Sequence, residues 1–172
     1  MNFYDSSVGS YLQILGGVAT ALERGATAAA EGGLDLEALV DYRFHDDMLP
    51  FSFQVVSVWH HSLGALRGMQ SGLFEPPQMP AATGYEDLQA LVSEAREQLR
   101  GFAREDVEAL AGGYVVFRLG SRDIPIKAEQ FLLSFSLPNF YFHASTSYTA
   151  LRVHGVPLGK IDFLGKLRTG SG

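Results

Sequence analysis

Residues 130–151 read QFLLSFSLPNFYFHASTSYTAL and contain no Asp, Glu, Lys or Arg. Charge returns only at Glu129 and Arg152. About twenty apolar residues can span a bilayer. This stretch, however, holds Pro138, Asn139, His143, four serines and two threonines, more polar groups than a lipid-exposed span carries. A helix enclosed on most sides by other helices explains it better. At about 100° per residue, Ser136, Asn139, Ser147, Ala150 and His154 fall within about 40° of His143. Phe131, Phe135 and Phe142 flank one side of that stripe, and Leu133, Leu137, Phe140 and Leu151 the other. A polar stripe between apolar flanks is how helices build an internal site. The spacing predicts a helix from about Ala128 to just before Gly155, kinked at Pro138.

Three more long helices are expected. The first is capped by Asp5, Ser6 or Ser7, carries Val8, Tyr11, Leu12, Leu15, Val18 and Leu22 at helical spacing, and stops at Gly32-Gly33. A short helical piece, DLEALVDYRF, follows it. The second long helix opens at Pro50. Residues 48–66 again carry no charge. Val55, Val56, Trp59, Leu63 and Leu66 share one face, and Gln54, Ser57, His61, Ala65 and Gly68 the other. So small and uncharged a second face predicts close approach by another helix, from this chain or a second subunit. GLFEPPQMPAA reads as a Pro-rich loop. Thr83 and Glu86 then suggest a capping box for a third helix through Tyr85, Leu88, Val92, Ala95 and Leu99. YVVFRLGSRDIPIK reads as a β-hairpin, with Pro125 marking an edge strand. The expectation is a single all-α domain, residues 1–172: an antiparallel four-helix bundle with a small β-hairpin before the last helix.

Composition narrows the function. The 172 residues carry a formal net charge of −6 and no basic cluster, which argues against nucleic acid as partner. There is no cysteine, so disulfides, thiolate metal sites and a Cys nucleophile are excluded. The start, MNFYDSSVGS, lacks the pattern of a secretion signal, and a cytoplasmic location is expected. No G-x-S-x-G elbow or phosphate-binding glycine loop is present.

The histidines are the candidate site. His61 and His143 each sit mid-helix in an uncharged segment. Facing imidazoles could hold a divalent metal, or one could act as a general base. The alternative is that each is hydrogen-bonded in a crowded core. His60 points about a quarter turn away from His61, so the HH pair is not a two-ligand motif. His154 is about 16 Å along the helix from His143 and cannot share a metal with it. Asp46-Asp47 reads as a helix cap.

YDSSV at residues 4–8, DDMLPFSFQV at 46–55, LPNFYFH at 137–143 and GVPLGKIDFLG at 155–165 together resemble a bacterial family of unknown function. That family is similar to the DinB/YfiT-like superfamily of metalloenzymes, and the resemblance runs from Phe3 to Gly165. It implies an antiparallel four-helix bundle, often a homodimer. Better-known relatives bind zinc or nickel through one histidine on the second helix and an H-x-x-x-H pair on the fourth, and some act with low-molecular-weight thiols. His61 matches the first of these ligands and His143 the second, but Ser147 replaces the third. The resulting expectation is a pocket of His61, Asn139, His143 and Ser147 for small-molecule chemistry. It would have a weak, degenerate zinc or nickel site and no stoichiometric metal. The rival expectation is a non-catalytic homodimeric binding or interaction module whose polar stripe is structural.

Overall fold

The computed structural model describes residues 2–79 and 83–169. Pro80, Ala81 and Ala82 of the Pro-rich loop, and residues 170–172 of the tail, lie outside the described residues. The chain is mostly helical with one small three-stranded sheet.

Helix α1 (Phe3–Ser6) starts earlier than the sequence suggests. Asn2 is its cap, with Oδ1 accepting the Asp5 N–H at 2.8 Å. The Glu108 carboxylate accepts the N–H groups of Phe3 and Tyr4 at 3.0 and 2.9 Å. A carboxylate from more than a hundred residues away thus satisfies first-turn amides that have no acceptor inside the helix. Ser7 joins α1 to α2 (Val8–Ala30); its hydroxyl donates to the Phe3 carbonyl of α1 at 2.7 Å, and its side chain makes no cap bond to α2. Gly32, at φ 78°, ends that run in the left-handed region, where a side chain would be strained.

Asp35 caps the short α3 (Leu36–Val40) through a 3.1 Å bond to the Ala38 N–H. The second long helix comprises α4 (Phe51–Trp59), a π-helical turn (His60–Gly64) and α5 (Ala65–Ser71). Asp46 and Asp47 do not cap it. Pro50 holds the cap position, and Asp47 is exposed and paired with His45 at 2.7 Å. The expected capping box of α6 (Tyr85–Gly101) is replaced by half a box one residue later: Gly84 holds the cap position, and Asp87 accepts its N–H at 2.8 Å.

Strand β1 (Leu73–Phe74) pairs in parallel with β2 (Tyr114–Leu119), which pairs antiparallel with β3 (Arg122–Lys127) after the short α7 (Arg104–Glu108). The hairpin and the edge position of Pro125 are as expected; the two-residue β1 is too short to leave a sequence signal. The last long run is α8 (Ala128–Gln130), a second π turn (Phe131–Ser136) and α9 (Leu137–Val153), followed by α10 (Lys160–Leu164).

The second π turn answers Pro138. A proline has no N–H for the carbonyl four residues back, and its ring crowds that carbonyl. Widening the preceding turn relieves both. The same widening breaks the 100° count across the turn, which explains why Leu133, read as a flank of a buried stripe, is 58% exposed; Phe142, read as another flank, is 57% exposed but lies beyond the turn, beside His143.

Helix α2 packs on α6 and α9, and α4 packs on the same two. Tyr11, Leu15, Leu22, Val55, Leu63, Leu88, Val92, Phe131 and Phe140 fill the space between them, fully buried. The small face of the second helix is covered from within the chain. Gln54, Ser57, His61, Ala65 and Gly68 are all buried, and a Cβ on Gly68 would meet the Phe74 ring at 2.9 Å. That face needs no second subunit. No described helix is long and apolar enough to cross a membrane.

Candidate functional site

The two π turns build the centre of the site. In the first, the Ala65 N–H bonds the Ser62 carbonyl rather than the His61 carbonyl that a regular α-helix would offer it. The His61 carbonyl accepts the hydroxyl of Ser136, from the second π turn, at 2.7 Å. Ser136 Oγ also lies 2.6 Å from the Tyr11 hydroxyl. Its single proton points to His61, so Tyr11 is the donor there. Three helices are thus tied at the level of His61. Turns of this kind recur at functional sites.

His61 is buried, and its ring centre lies 5.8 Å from that of the half-buried His143, the planes 12° apart. Gln54 orients His143. Its Nε2 donates to the Leu49 carbonyl at 3.0 Å, so its oxygen is the atom 2.8 Å from His143 Nδ1. A neutral His143 therefore donates from Nδ1 and keeps a lone pair on Nε2. His61 Nδ1 and His60 Nε2 are buried with no hydrogen-bond partner among the described residues. Phe74 and Phe135 pack at 5.6 Å from the His61 ring, and Phe142 and Phe53 at 5.2 and 5.9 Å from His143.

This enclosure keeps the imidazoles neutral. Burial pulls His61 down to about 3, with the neighbouring His60 and His143 adding to the effect. Burial likewise pulls His60 and His143 to about 4. A group at pKa 4 is a poor general base, because protonating it at pH 7 costs about 4 kcal/mol. A neutral imidazole remains a good hydrogen-bond acceptor and metal ligand.

The other candidates are differently engaged. Asn139 is half-buried and donates to the Phe135 carbonyl at 2.8 Å. Ser147 is buried and donates to the His143 carbonyl at 2.9 Å. Both side chains thus bond their own helix. His154 sits against the Ala150 carbonyl and the Tyr42 ring. His60, set aside in the sequence, lies beside the site: its ring is 5.3 Å from His61 and 4.4 Å from Phe74. The sequence also gave no sign that Gln54 would orient His143. Its one trace was its place on the uncharged face with His61. Among the described residues no group of three or more His, Cys, Asp or Glu side chains could hold a metal ion.

A family model described as a domain of unknown function, DUF1993, matches residues 3–164. The chain belongs to the DUF1993 family. Its fold is similar to the crystal structure of a DinB family member protein from Shewanella denitrificans. The TM-score is 0.78 over 95% of this chain and 92% of that one, at 21% identity. At that identity the likeness speaks for the fold alone. No curated protein matches the sequence.

Proposed function

We propose that this DUF1993 protein is an antiparallel four-helix bundle that binds a small molecule at His61 and His143, with a weak divalent-metal site there. The observation that carries this reading is the pair of neutral imidazoles 5.8 Å apart, one of them oriented by Gln54 so that a lone pair stays free. The donor set does not fit a resident catalytic metal. Such a site takes three protein ligands and an open position. Here Ser147 stands at the third place and directs its hydroxyl to the His143 carbonyl. Two neutral imidazoles fit loose attachment of zinc or nickel. In binding a small molecule they serve as acceptors for its N–H or O–H groups, in a surround of phenylalanines that excludes water. Asn139 borders this site and shapes it through its bond to Phe135.

The test is metal analysis of the untagged protein. We expect no stoichiometric metal, and zinc lost on dialysis. Ser147→His, one helical turn from His143, is expected to tighten zinc binding by at least about tenfold, since even ligand-supporting groups are worth 10–100-fold. Thermal melts identify any variant that fails to fold. Stoichiometric zinc or nickel in the unmodified protein, lost on His61→Ala or His143→Ala, would refute the weak-site reading.

We further propose a cytoplasmic homodimer. The face that favours it belongs to the last helix. Tyr141, Phe142, Ser145 and Thr149 of α9 line an uncharged outer groove of about 630 Å³ with Phe44 and Met48. A second copy would cover this apolar surface. Light scattering at micromolar concentration should give twice the chain mass; a monomer would contradict the dimer.

A further inference from the structure

The supports of His143 lead out to the groove on the outer face of α9. His143 Nδ1 donates to Gln54 at 2.8 Å, and Gln54 donates in turn to the Leu49 carbonyl at 3.0 Å. Leu49 is exposed and follows Met48, which lines the groove. The Met48 carbonyl accepts Arg43 at 2.6 Å, and its N–H donates to the His45 carbonyl at 3.0 Å, so the groove wall and the anchor of Gln54 are one surface loop. The second support is Phe142. Its ring stands edge-on to His143 at 5.2 Å, yet it is exposed and lines the same groove. Exposed side chains change rotamer within picoseconds to nanoseconds. A half-buried imidazole that rests on a surface loop and a surface ring is therefore loosely held in a single copy.

The groove has the pattern of a helix contact. Pro138, Phe142, Ser145 and Thr149 are exposed, line it, and recur at spacings of four, three and four. That is the period of a seam against another helix. No charge interrupts it, because residues 130–151 have none. Two copies of a chain with a net charge of −6 repel each other over most of their surfaces. This strip escapes that repulsion, and a two-fold axis can lay α9 along its own copy. The fitting occupant is a second copy of this chain.

We infer that self-association through α9 controls the histidine site: the second copy covers Phe142 and the Met48–Leu49 segment, and so fixes Gln54 and the His143 ring. This rests on the shared site and the homodimer proposed above and adds the link between them. A ligand that arrives at an already ordered site pays less to bind. The coupling is reciprocal, so a ligand at His61 and His143 tightens the dimer by the same factor.

The test uses zinc as the probe and Ser145→Arg to separate the copies. Ser145 is exposed and lines the groove, so arginine there sets like charges face to face and leaves the core alone. Light scattering should give a dimer for the parent and a monomer for the variant. Zinc affinity should fall at least about fivefold in the variant, although every histidine is intact. The His143 15N signals should move from the Nδ1-protonated form towards a mixture of tautomers. In the parent, zinc should raise the dimer fraction, a measurement that needs no variant. His45→Asn, which removes the exposed imidazole of the same loop, should keep that response. A dimeric parent and a monomeric variant with equal zinc affinity would overturn the link and leave the dimer and the site standing. A parent that stays monomeric with and without zinc would remove the dimer and the link together. A variant that still dimerises, or a zinc response lost in His45→Asn, would also overturn the link.

Discussion

Lowering the pH from 7 to about 4.5 should remove several kcal/mol of stability, with His60, His61 and His143 responsible for most of the loss. Their folded-state values lie near 4, 3 and 4, against 6.5 for the free side chain. The unfolded chain therefore takes up protons first as the pH falls. The stabilisation is complete above about 6.5, declines between there and about 4, and levels off once the folded state also protonates. Because the three rings lie together, each bears on the others' protonation, so the losses are not additive. A natural domain has only about 5–15 kcal/mol in total, so the effect should be large. The exposed carboxylates of Asp5 and Asp123, held below the usual range by bonds to Arg104 and Arg118, act at lower pH and do not blur this window. Urea unfolding across this range should show the decline. His61→Phe should make it shallower, because an apolar ring of similar size has nothing to protonate while His60 and His143 still titrate. An equally steep decline in that variant would contradict the buried neutral cluster.

Two neighbouring glycines should respond with opposite signs. A Cβ on Gly17 would fall inside van der Waals contact with the Phe163 carbonyl oxygen and within 2.7 Å of the Asp162 carbonyl oxygen. These are backbone atoms of α10, which packs on α2 and cannot rotate aside. Gly17→Ala should therefore push α10 off. That disturbs the Tyr148–Phe163 packing and the Arg24–Asp162 ion pair. The gain in helix propensity, about 1 kcal/mol, is smaller than the overpacking cost, and a net loss of about 2 kcal/mol is expected. A Cβ on Gly16 would meet nothing within 4 Å. Gly16→Ala should stabilise by up to about 1 kcal/mol. Thermal melts of the two variants decide the matter; a stabilised Gly17→Ala would mean that α10 is not docked as described.

The helical runs were legible because burial writes a 3.6-residue period and because the uncharged stretches at 48–66 and 130–151 exceed what a surface helix tolerates. His61 and His143 stood out for the same reason, as lone imidazoles in charge-free segments. Long-range bonds left no such trace. Nothing near Asn2 announces Glu108, and nothing near His143 announces Gln54. The π turns were also hidden. One extra residue per turn changes which side chains face inward without changing composition. That is why Leu133 was misplaced. Pro138 was the one visible clue: it pointed to a disturbed helix, and the disturbance is a widened turn.

The central claim is that His61 and His143 form one neutral, shared site. Side-chain 15N NMR of the histidines during a zinc titration near pH 7 tests it most directly. The account predicts that both rings start neutral, that His143 carries its proton on Nδ1, and that zinc shifts His61 and His143 together while His45 and His154 follow separate curves. A charged ring before zinc is added, or zinc shifting only one of the two, would contradict it.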